Sequence, residues 1–179
     1  MRELRNIIWF LALFILLLLQ GGILIPLHIA PVGLIVIIIA LAPVLSEFKQ
    51  GLIVTLLGGL LLDLASGAPD GLITMSLLSM FLIVHVTLKE FLSREPNKFI
   101  LGSSVALGTI IYYISFVGFS RLFVILHLLG KPDISYLLQN QLPRAVIWNL
   151  IFTYPMFYYY LLTQNLVSKG PSHEEPIRT

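Results

Sequence analysis

The sequence predicts an all-α, polytopic membrane protein with six transmembrane helices. Three observations carry that expectation. The chain is 58% hydrophobic and only 11% charged, with a mean hydropathy of +0.95, where a soluble domain carries about 25% charged residues. Its apolar residues gather into runs near the roughly 20 residues that a bilayer-spanning helix needs. Short polar turns rich in Gly, Pro and charge separate those runs, and such clusters punctuate helices.

The spans are expected at 7–25, 32–45, 51–66, 71–91, 99–127 and 142–164, forming one transmembrane domain over 1–165 with a polar cytoplasmic tail at 166–179. The first follows Arg2 and Arg5, is longer than a signal-peptide core and lacks a small-x-small cleavage site, so it reads as a retained span. The second is too short to cross alone and pairs with the third as a tight hairpin around Ser46, Glu47, Phe48, Lys49 and Gln50. From Gly51 to Ala65 the third would rise only about 21 Å against a hydrocarbon core of about 30 Å. That shortness implies a protein-lined or wet concavity beside residues 65–70. The fourth contains His85 and leaves at Lys89 and Glu90. The fifth belongs to an apolar run continuing to Leu129, about 46 Å as one helix, so a break is expected near Gly118 to Arg121. A loop over 130–141 leads to the sixth, with Pro143 in its first turn and an interfacial aromatic belt of Phe152, Tyr154, Phe157, Tyr158, Tyr159 and Tyr160.

Loop charges set the orientation. Arg2, Arg5, Lys49, Lys89, Arg94, Lys98, Lys169 and Arg178 fall on one side, whereas the other offers only Lys131 outside the apolar runs. The positive-inside rule therefore places both termini in the cytoplasm.

Several classes of function find no residues here. The net charge is +2 and no basic run interleaves with aromatics, so nucleic acid is not an expected partner. With no cysteine there is no disulfide, zinc-thiolate site or thiol nucleophile. His28, His85 and His127 sit on separate segments without a helical-spacing partner, whereas a metal site needs converging ligands. Ser66 lies in SGAPDG rather than a Gly-x-Ser-x-Gly elbow. The glycines match neither a Walker nor a dinucleotide pattern. Asp63 and Asp70 have no matching base or metal ligand nearby. The expectation is therefore no catalytic residue, no metal ligand and no cofactor.

The informative stretch is GLIVTLLGGLLLDLASGAPDG, residues 51–71. Gly51, Thr55, Gly59 and Asp63 recur four apart and form one small and polar stripe, which lets another helix approach and turns the carboxylate toward protein. Gly67 and Pro69 then stop the helix, and Asp70 before Gly71 is the expected N-cap of the next. Gly51, Thr55, Gly58, Gly59, Asp63, Gly67, Pro69 and Gly71 are thus the expected helix-packing or partner-docking set. Asp63, Arg121 and Arg144 fall at comparable depth near the outer side. They read either as a structural or interfacial charge group or as an outer polar cluster lining a pocket.

A glycine-containing third span, then Gly-Leu-Leu-x-Asp-Leu, a Gly- and Pro-containing loop and Gly-Leu into the next span resembles the rod-shape-determining MreD family of bacterial inner-membrane proteins. The matching residues are Gly58, Gly59, Leu60, Leu61, Leu62, Asp63, Leu64, Gly67, Pro69, Gly71 and Leu72. The resemblance implies a non-enzymatic component of the elongation machinery that directs lateral peptidoglycan synthesis. Its implied partners are an MreC-like periplasmic scaffold, RodA and its penicillin-binding partner, and indirectly RodZ and MreB, in a bed of membrane lipids. It also implies a fold similar to the S components of energy-coupling-factor vitamin transporters. The alternative is that the chain is itself such a substrate-binding S component. The first span has only Ala12, with Leu16 four later, and so lacks the Ala-x-x-x-Ala surface by which S components meet their transport subunit.

Overall fold

The computed structural model describes residues 33–45, 47–66, 68–91, 98–130 and 132–168. The expected first span, His28, Gly67, Lys131, the turn at 93–97 and the tail from 169 onward lie outside the described residues. Within them all regular structure is helical: α1 (Leu34–Leu45), α2 (Phe48–Ser66), α3 (Leu72–Phe91), α4 (Lys98–Ile125) and α5 (Leu142–Ser168). Two stretches, Phe48–Ser66 and Phe99–Ile125, are long and apolar enough to cross a membrane, and Leu34–Pro43 and Leu72–Leu88 are shorter apolar helices.

α1 is the hub. Its sequence, LIVIIIALAPVL, is apolar all round, and a helix of that kind belongs in a core. Ile35, Ile37, Ile39 and Ala40 are completely buried, and α1 packs against each of the other four helices. Those four form an arc in which α3 packs on α2 and α4, and α4 packs on α5. Small residues permit close approach: a Cβ on Gly108 of α4 would stand 2.8 Å from the Ala40 Cβ. One turn away the Ser104 hydroxyl donates to the Ala40 carbonyl. The arc's outer surface carries exposed Leu60, Leu64, Ile83, Val86, Ile114, Ile147 and Ile151. Water disfavours an apolar exterior of that extent, whereas lipid favours it.

Four details correct the expectations from sequence. α2 begins at Phe48 rather than Gly51, because the Phe48 ring packs on Phe81 and His85, with centroids 5.6 and 4.8 Å apart, and winds the turn residues into the helix. At 19 residues it rises about 28 Å, so the shortfall that implied a concavity beside 65–70 is gone.

α4 runs unbroken through Gly118 to Arg121. A lone glycine costs a helix only about 1 kcal/mol, and a Cβ on Gly118 would meet nothing within 4 Å, so no packing conflict bends the chain there. The helix stops instead at His127, whose φ of 59° is left-handed. Its N–H bonds the Val124 carbonyl and the Leu128 N–H bonds the Phe123 carbonyl, the paired bonds of a Schellman ending.

The loop expected over 130–141 is largely helical. Asp133 caps a turn at Ile134–Tyr136 by accepting from the Tyr136 N–H, and a π-helical turn at Leu137–Gln141 joins that turn to α5. The wide turn sits directly before Pro143, whose ring would otherwise press on the carbonyl four residues back. Pro143 keeps its place in the first α-helical turn of α5, but the helical backbone already runs into it. At the other end α5 reaches Ser168, three residues into the expected tail.

Candidate functional site

The residues singled out in sequence converge on the junction of α2 and α3. Gly51, Thr55, Gly58, Gly59 and Asp63 are the buried residues of α2, a face built by their three- and four-residue spacing. A Cβ on Gly59 would lie 2.8 Å from the Thr74 Cα, and one on Gly51 would lie 2.6 Å from the Phe81 ring. These two glycines admit the backbone and an aromatic ring of α3. Gly58 faces α1 instead, where a Cβ would meet Ile35 at 3.2 Å and Ile39 at 3.7 Å. Thr55 hides its hydroxyl by donating to the Gly51 carbonyl at 2.8 Å.

Asp63 is 4% exposed, and all its partners lie on the start of α3. One carboxylate oxygen accepts from the Ile73 N–H at 2.8 Å. The other accepts from the N–H groups of Gly71 and Thr74, each at 3.1 Å, and from the Thr74 hydroxyl. The Gly71 carbonyl takes the first bond of α3 from the Met75 N–H, so Gly71 is the N-cap. Glycine has no side chain with which to satisfy the second and third N–H groups of a helix. Asp63 does so from the preceding helix, and places negative charge at the positive end of the α3 dipole. Gly71 also carries φ +91°, a conformation that glycine adopts without a Cβ clash. Asp70, the expected N-cap, is exposed; the donors it would have taken are taken by Asp63.

The end of α2 is closed locally. The Ser66 hydroxyl donates to the Asp63 carbonyl at 3.3 Å and accepts from the Ala68 N–H at 3.1 Å. The Pro69 carbonyl accepts from the Leu72 N–H at 3.1 Å, so the turn hands the chain directly to α3.

The expected cluster of Asp63, Arg121 and Arg144 does not form an ion pair among the described residues. Asp63 is buried and bonded to α3, whereas Arg121 on α4 and Arg144 on α5 are exposed. Backbone N–H groups satisfy the carboxylate in their place. His85 stacks with Phe81 and tilts against Phe48, and among the described residues no group of three His, Cys, Asp or Glu converges on a metal position. Four donors converge on Asp63, one on Oδ1 and three on Oδ2. The arrangement fixes the start of α3 to the end of α2.

A second polar centre was not singled out from sequence. Asn149 is 1% exposed. Its oxygen accepts from the Gly33 N–H at 3.1 Å, and its Nδ2 donates to the Thr109 hydroxyl at 3.0 Å. Thr109 in turn donates to the Val105 carbonyl at 2.8 Å. Asn149 therefore ties the start of α1 to α4 and α5. The available signal was an amide in the middle of an apolar span, which is costly unless it is used. Comparison of the chain with protein-family models, curated proteins and solved structures gave no match.

Proposed function

We propose that this chain is a non-enzymatic, six-span component of the bacterial cell-elongation machinery, seated in the cytoplasmic membrane with both termini in the cytoplasm. In this reading it binds an MreC-like periplasmic scaffold, and through that assembly meets RodA, a penicillin-binding protein, RodZ and MreB. The observation that supports the reading is the use of the Gly-Leu-Leu-x-Asp-Leu stretch. Its Gly59 and Asp63 build a helix hairpin in which the buried carboxylate is bonded entirely to the start of the next helix. A motif that holds two helices in register suits a protein that works by assembly. The apolar outer surface of the arc then offers lipid and a partner's single membrane helix a place to pack.

The test is affinity purification of the tagged full chain from its native membrane, with mass spectrometry of the copurifying proteins. Recovery of an MreC-like scaffold and cell-wall-synthesis proteins is the expected result. Recovery of an ATPase pair with a transmembrane coupling subunit would overturn it in favour of a vitamin-transporter S component.

A further inference from the structure

Two of the described helices outrun the others at one end of the bundle. α3 and α4 pack together and are joined by a short link, so they run antiparallel. A Cβ on Gly108 of α4 would stand 3.6 Å from the Met80 sulfur of α3, so Leu72 and Phe116, equally far along from that contact, lie level. The bond from Asn149 to the Thr109 hydroxyl sets Leu142 of α5 at the same level in the same way. Past it α4 continues over 117–125, and helical backbone at 134–141 leads into α5. Each rises about 12–14 Å beyond the α2–α3 turn. α2 itself, at about 28 Å, matches the hydrocarbon core, so that turn marks the membrane boundary, and the headgroup layer above it is only about 5–8 Å deep. The end of α4 therefore stands clear of lipid. Yet Leu122, Ile125, Leu126 and Leu128 are all exposed there, Ile125 by 71% and Leu128 by 61%, a cluster that water disfavours.

We propose that this free end of α4 docks into an apolar groove of a protein domain outside the bilayer, with a carboxylate on the groove's rim facing Arg121. Leu122, Ile125 and Leu126 have the i, i+3, i+4 spacing by which a helix seats itself in such a groove. The Leu126 N–H still bonds to the Leu122 carbonyl, so the three share one helical face. Charge decides among the occupants. Arg121 is exposed at the foot of the cluster, and Asp133, the one acid over 117–141, is engaged as the cap of the Tyr136 N–H. A second copy of the chain meeting this face symmetrically would set Arg121 against Arg121, whereas an acidic rim complements it. Lipid chains end at the boundary below. The inference rests on the membrane-spanning reading of the chain but on no named partner.

The chain has no cysteine, so single cysteines report water access cleanly. In the purified full chain in lipid nanodiscs, Ile125→Cys should react with a water-soluble maleimide while Ile114→Cys and Leu57→Cys, exposed on α4 and α2 below the boundary, stay protected. Equal reaction at all three would overturn the membrane-spanning reading itself; protection of all three would place the tip in lipid and overturn the overhang alone. A photo-crosslinking phenylalanine analogue at position 125, in native membranes, then tests docking. The expected product joins this chain to a protein domain outside the bilayer, at a peptide that mass spectrometry shows to carry apolar residues beside an Asp or Glu. Arg121→Glu should lower its yield about fivefold, as loss of an ion pair does, and a lysine in place of that carboxylate should restore it. A crosslink only to lipid or to a second copy, no crosslink, or a yield indifferent to Arg121→Glu overturns the proposal.

Discussion

Asp63→Ala removes the acceptor for three backbone N–H groups and one hydroxyl at the start of α3. The Gly71 N–H can turn to solvent and the Thr74 hydroxyl can rotate. The N–H groups of Ile73 and Thr74 cannot, because both residues are buried. A buried donor left unpaired costs about 1–3 kcal/mol and a lost N-cap about 1 kcal/mol. Together these give about 3 kcal/mol of destabilisation. Asp63→Asn is the sharper variant, because its amide has one acceptor atom where the carboxylate has two. In either orientation an NH2 group faces at least one backbone donor, so a loss above about 1 kcal/mol is expected. Denaturant titration of the purified protein in mixed micelles, followed by helical circular dichroism, gives both values. Hydrogen exchange at residues 73 and 74 localises the change. Arg121→Ala and Arg144→Ala should each stay within about 0.5 kcal/mol, as exposed substitutions do. If Asp63→Asn is neutral while either arginine variant is costly, the carboxylate is held by charge pairing and the capping argument fails.

The same titration tests four further expectations. Gly59→Ala should cost about 2 kcal/mol, because its Cβ would press on the Thr74 backbone and α3 would have to retreat. Gly118→Ala, with open space around it, should instead stabilise by up to about 1 kcal/mol; equal effects would refute the close-approach reading. Asn149→Leu should cost about 1–2 kcal/mol, since two interhelical bonds are lost where each averages about 0.6 kcal/mol and the Gly33 N–H is left without its acceptor. A stabilised variant would show that apolar packing outweighs them. His127→Gly should stabilise by about 1 kcal/mol by relieving a left-handed non-glycine residue at the end of α4, and a loss would mean that the imidazole has a role there.

The stripe on α2 was legible in sequence because helical periodicity is written in residue spacing: Gly51, Thr55, Gly59 and Asp63 do share the buried face. What Asp63 bonds to was not. Reading letters pairs a charge with an opposite charge, which led to Arg121 and Arg144, whereas backbone N–H groups belong to every residue and mark no letter. Asp70 was the expected cap for a related reason, since local sequence suggests the nearest side chain and cannot show one arriving from the preceding helix. The unbroken course of α4 was missed because Gly118 has the same letter whether it faces a neighbour or open space. Asn149 passed unnoticed since its main partner, Gly33, is 116 residues away. The helical turn before Pro143 depends on a widened backbone that no residue type announces.

The bonds of Asp63 span only 8 to 11 residues, whereas those of Asn149 span 40 and 116. Closing a short loop costs less chain entropy than closing a long one, so the two polar centres belong to different moments of synthesis. The Asp63 bonds have all their donors as soon as Thr74 leaves the ribosome, and the α2–α3 hairpin can close once α3 is made, with its carboxylate already satisfied. The start of α1 must wait with Gly33 unanchored until α5 has been made. The last described helix thus secures the first described one, and a chain stalled before residue 149 would hold a finished α2–α3 hairpin beside an unfastened α1.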